Sequence, residues 1–108
     1  MNNNSPLIAM RVVETEVLHV LRDVDMQQLS PETRKIIQPL RRNITDARLD
    51  IRDYEFADTR SEQERYATVA RKRLVAVEKG ILAATDVFSA VDTAQLLAEL
   101  DRVNKLLD

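Results

Sequence analysis

Apolar residues recur along this chain at alternating spacings of three and four, the repeat of one helix face turned toward a neighbour. The first run is Met10, Val13, Val17, Val20 and Val24. A second carries Ile37, Leu40, Ile44, Ala47, Ile51 and Tyr54, and a third carries Ala67, Ala70, Leu74, Val77, Ile81, Ala84 and Phe88. A fourth holds Leu96, Leu100, Val103 and Leu107. No stretch alternates with the period of two that a half-buried strand needs.

Helix starts punctuate the runs. Ser5-Pro6 and Ser30-Pro31 each place a capping hydroxyl before a proline at the first helical position, where a missing N–H costs nothing. Ser61-Glu62-Gln63-Glu64 reads as a capping box, and Asp92 or Thr93 can cap a last helix. The expected helices cover about 5–29, 30–57, 61–90 and 92–107. Pro39 lies inside the second, where it removes a ladder hydrogen bond and predicts a kink or short break. Gly80 lies inside the third and leaves room for another backbone to approach closely. A short turn near Asp58 to Arg60 makes the second and third helices antiparallel neighbours. The prediction is a single all-α domain, an up-down four-helix bundle with a long coiled-coil-like hairpin.

Composition narrows the chemistry. The 108 residues include one Gly, three Pro and no Cys, so turns are few and thiol chemistry is excluded. Aromatic residues are 4% with no Trp, leaving no platform for stacking bases or sugars. Sixteen basic against 18 acidic residues give a net charge of −2, which speaks against a dedicated nucleic-acid binder. The opening Met1-Asn2-Asn3-Asn4-Ser5-Pro6 has no basic segment followed by an apolar run, and no stretch approaches the ~20 apolar residues of a membrane span. The expected compartment is the cytoplasm, unless the chain is a mature form whose targeting segment has been removed. No nucleophile triad, Gly-rich phosphate loop or paired buried carboxylate is present, so the expectation is a non-enzymatic protein without cofactor or metal that docks on a protein partner and has the option of self-association.

Three features could carry more specific chemistry. Glu16-Val17-Leu18-His19 has the Glu-x-x-His spacing used in di-iron helical bundles, but it occurs once and His19 is the only histidine. It reads better as a solvated site in which Glu16 or Asp23 pairs with the ring. Arg34, Arg41, Arg48 and Arg52 lie along one side of the second helix and form a candidate docking face for an acidic partner, while Asp46, Asp50 and Asp53 between them favour a plain solvated face. Ile8, Val12, Leu18, Leu49, Phe56, Val75, Leu82, Leu97 and Leu106 fall off the seams. Most are expected in the core, with any surplus forming a patch for partners.

Two resemblances add function. His19-Val20-Leu21-Arg22 resembles the core of phosphotransfer histidines on helical bundles, which implies a phosphoacceptor role for His19. Asp23 stands where those domains usually carry Gly, and the Thr-Pro of sensor-kinase hairpins is absent. Pro39-Leu40-Arg41-Arg42, Ala83-Ala84-Thr85-Asp86, Leu96-Leu97 and the run Leu100 to Leu107 together resemble the extrinsic Q subunit of photosystem II over about two thirds of the chain. That resemblance implies a four-helix, non-catalytic subunit that stabilises a membrane complex, and a thylakoid-lumen location. The Trp common in that family before this segment and the lipoprotein Cys of its cyanobacterial members are missing.

Overall fold

A computed structural model describes residues 4–108. Residues 1–3, part of the opening segment discussed above, lie outside the described residues. The order is α1 (Pro6–Arg22), a short 3-10 turn (Met26–Gln28), α2 (Pro31–Glu55), α3 (Arg60–Ala83) and α4 (Ala90–Leu106). No strand occurs among the described residues. Each helix packs on its neighbours in chain order, and α4 closes the ring on α1, which gives the up-down four-helix bundle. The α2–α3 hairpin is its most extensive interface and sets the long dimension of 47 Å.

The seams become the core. Met10, Val13 and Val17 of α1 meet Leu40, Ile44 and Ile51 of α2, Val77 and Ile81 of α3, and Leu96 and Val103 of α4 in one buried cluster. The α1 seam drifts at its end: Leu21 is buried, whereas Val20 and Val24 are only half-buried. A straight helix has 3.6 residues per turn, so a strict heptad slips by ~20° per repeat and the next residue round takes over.

Both Ser-Pro starts are helix caps. The Ser5 hydroxyl accepts from the Ile8 N–H and that of Ser30 from the Thr33 N–H, each at 3.2 Å. Each start also receives a carboxylate from the far end of the adjacent helix. Glu55, the last residue of α2, accepts from the Ser5 hydroxyl and from the Leu7 N–H at 3.2 Å. Asp86, just past α3, accepts from the Ser30 N–H at 3.3 Å and the Thr33 hydroxyl at 3.1 Å. A negative charge at a helix N-terminus complements the macrodipole.

Four boundaries differ from expectation. Helix α1 stops at Arg22 rather than near Leu29, because Asp23 and Asp25 are unfavourable at the negative end of a helix, and the Asp25 carboxylate captures the Gln27 N–H instead. Thr59, not Ser61, caps α3, accepting from the Glu62 N–H at 3.1 Å, so the capping position lies two residues earlier. Helix α3 ends at Ala83 rather than Ser89 or Ala90, and a turn in which Val87 and Phe88 donate to the Ala84 carbonyl folds Phe88 back into the core. Ser89, not Asp92 or Thr93, then caps α4. Helix α2 runs without a break through Pro39, whose side chain is exposed. Gly80 makes room for a side chain and not for the expected backbone: a Cβ there would lie 3.1 Å from Leu40 Cδ1.

Candidate functional site

The four arginines proposed as a docking face have unequal fates. Arg48 is half-buried and bridges to Glu14 of α1, with Nε 2.8 Å from Oε1 and 3.0 Å from Oε2. It holds α1 to α2 and is not available to a partner. Arg52 pairs with Asp53 at 3.6 Å. Arg34 and Arg41 are exposed and have no ion pair among the described residues. Lys35 and Arg42, one position on, are exposed and unpaired as well.

Two of the three aspartates expected to neutralise this face point elsewhere. Arg73 of α3 reaches Asp46 at 3.6 Å and Asp50 at 3.3 Å. Those carboxylates therefore serve the α2–α3 interface. Helix geometry then splits the basic half of α2 into two rows. Arg34 and Arg41 share the side of Arg48 and face toward α1. Lys35 and Arg42 share the side of Asp46 and face toward α3. Between residues 31 and 45 the only carboxylate is Glu32, against four cations.

His19 is exposed on α1. Its partner is Arg22, whose Nη2 donates to Nδ1 at 3.0 Å, and not Glu16 or Asp23. Asp23 instead lies 3.8 Å from Arg22. A guanidinium can only donate, so Nδ1 is the acceptor of the bond with Arg22. His19 lines a shallow cleft of about 160 Å³ together with Asp92 and Gln95 of α4. Among the described residues no group of three or more His, Cys, Asp and Glu side chains could hold a metal ion.

The off-seam apolar residues are more exposed than expected. Leu49, Leu97 and Leu106 are half-buried, but Ile8, Val12, Leu18, Phe56, Val75 and Leu82 are exposed. Each helix has two neighbours in the ring and so buries only one face. Val75 and Leu97 also border a cleft of about 290 Å³ between α3 and α4, the loosest of the four contacts. A wider cleft of about 700 Å³ lies beside the α2–α3 turn, walled mainly by polar side chains such as Asp58, Gln63 and Arg71. Arg71 there pairs with Asp108.

Asp86 carries the clearest electrostatic perturbation. The Ser30 backbone N–H, then the Thr33 and Ser30 hydroxyls, hold its carboxyl below the ordinary aspartate value, against a smaller opposing effect of desolvation. Its contacts are internal, so its role is structural. No described helix is long and apolar enough to cross a membrane. No family model, curated protein or solved structure matches the chain.

Proposed function

We propose that the protein is a non-enzymatic docking module that binds an acidic surface of a partner protein through the basic first half of α2. The observation that carries this reading is the division of labour among the arginines. Arg48 and Arg52 are committed to internal carboxylates, whereas Arg34 and Arg41 stand in solvent with none. Solvated cations on a rigid helix steer an oppositely charged partner and fix its register at little folding cost. A stabilising subunit on a larger assembly, as the photosystem II resemblance implies, is one form that such a module takes.

Affinity capture from the native source tests the proposal, comparing the wild-type chain with the double variant Arg34→Glu/Arg41→Glu. Both positions are exposed, so the variant keeps its helical circular dichroism. A partner retained by the wild type and lost by the variant supports the reading. Equal capture by both chains refutes it. Acid-labile phosphate on His19 after incubation with acetyl phosphate would replace it with phosphotransfer.

A further inference from the structure

We propose that the outward face of α3 is a second docking surface, and that its occupant is an amphipathic helix with carboxylates beside its apolar row. This goes beyond the α2 reading, since it concerns a different face and a defined partner chemistry. The face is built from Val69, Lys72, Val75, Lys79 and Leu82, at spacings of three, three, four and three. Such a series stays on one side of a helix and here covers about 20 Å of its length. Val75 is 50% exposed and Leu82 48%, with Val69 at 36%. Both lysines are exposed, and neither has an ion pair among the described residues. Glu78, the one carboxylate on α3 between residues 65 and 83, lines the α3–α4 cleft beside this face. Apolar and cationic positions therefore alternate along four turns with no acid among them.

Charge complementarity selects the occupant. A second copy of the chain in antiparallel pairing is disfavoured. Two-fold antiparallel pairing through this face keeps each flank on its own side, so lysines would meet lysines. A flat anionic bilayer is served less well, because membrane binding scales with the apolar area inserted, and this face offers only the partly exposed Val69, Val75 and Leu82, with the exposed Glu78 beside them. A helix has the right shape. Its apolar row can nest against Val75 and Leu82 while Glu or Asp side chains on its flank reach Lys72 and Lys79.

The probe is a fluorescein-labelled model peptide of about 18 residues. It carries Leu at i, i+3, i+4 and i+7 with Glu flanks and Ala elsewhere, and its counterpart has Lys in place of Glu. Fluorescence anisotropy at low salt should show binding of the Leu–Glu peptide and not of the Leu–Lys peptide. Lys72→Glu/Lys79→Glu should weaken the first at least tenfold and create affinity for the second. Leu82→Ser, which changes no charge, should also weaken it, and circular dichroism reports that both variants are folded. Arg34→Glu/Arg41→Glu should leave it unchanged, so this proposal and the α2 reading fail separately. Absence of binding, equal affinity for both peptides, or unchanged affinity in the lysine variant would overturn the proposal. So would phosphatidylserine vesicles that bind the chain and displace the peptide.

Discussion

Leu74 and Val75 are adjacent in sequence and differ sharply in burial, at 5% and 50% exposure, so alanine at each position tests the packing of α3 with its own control. Leu74→Ala deletes three carbon atoms from a position facing α4. Buried Leu→Ala changes cost about 2–5 kcal/mol, and the value rises with the volume of the void left behind. Leu74 borders the 290 Å³ cleft between α3 and α4, so the new space opens to water instead of forming a sealed cavity. The loss should therefore sit near the low end, at about 2–3 kcal/mol. A domain of this size loses several degrees of melting temperature per kcal/mol, so the shift should be roughly 10 °C. Val75→Ala removes two half-solvated methyl groups and should stay within about 0.5 kcal/mol. Urea unfolding followed by circular dichroism at 222 nm measures both, with an unchanged slope required for the comparison. A loss below about 0.5 kcal/mol for Leu74→Ala, or equal losses at the two positions, would refute the assignment of faces on α3.

Three further outcomes follow from particular contacts. Asp86 has a depressed carboxyl pKa, so its contribution to stability is present above the unfolded value, near 3.8, and is lost as the pH falls below it; Asp86→Asn should flatten that acid limb in pH-dependent unfolding. In a double-mutant cycle, Glu14→Gln and Arg48→Met should show a coupling of about 1 kcal/mol, since both side chains are largely shielded; simple additivity would remove the pair as a tie between α1 and α2. His19→Ala should change stability by less than about 1 kcal/mol, as expected for an exposed ring bonded only to Arg22, and a larger loss in thermal unfolding would contradict its surface placement.

The buried seams were legible because helix periodicity reports which side of each segment is apolar, and both Ser-Pro starts were legible because their chemistry is local. The boundary after α3 was not. Ala84 and Phe88 keep the apolar spacing of the helix before them, so periodicity runs through a turn that only the capping hydroxyl of Ser89 reveals. The Thr59 cap was hidden by a similar Ser-x-x-Glu pattern two residues on, where Glu64 instead pairs with Arg60 at 3.3 Å. Among the candidate docking residues, the common face of Arg34, Arg41 and Arg48 was readable, but their availability was not. It depends on Glu14 approaching Arg48 from 34 positions away, and on Arg73 drawing off Asp46 and Asp50. Those pairings follow from the order of helices around the ring. The placement of Glu55 and Asp86 on the two Ser-Pro starts was equally invisible for the same reason.

Those two carboxylates make the helix starts unequal in how they open, one latched and one unlatched at each end of the bundle. Glu55 joins Ser5 across 50 positions of chain, and Asp86 joins Ser30 across 56, so neither α1 nor α2 can unwind its first turn without also releasing the end of the helix beside it. Among the described residues, the starts of α3 and α4 have only the local hydroxyls of Thr59 and Ser89, both exposed. In amide hydrogen exchange, the first turns of α3 and α4 should then exchange through independent fraying, while those of α1 and α2 should wait for larger cooperative openings. The bundle thus has two latched helix starts and two unlatched ones, and opening should begin at the unlatched start of each end.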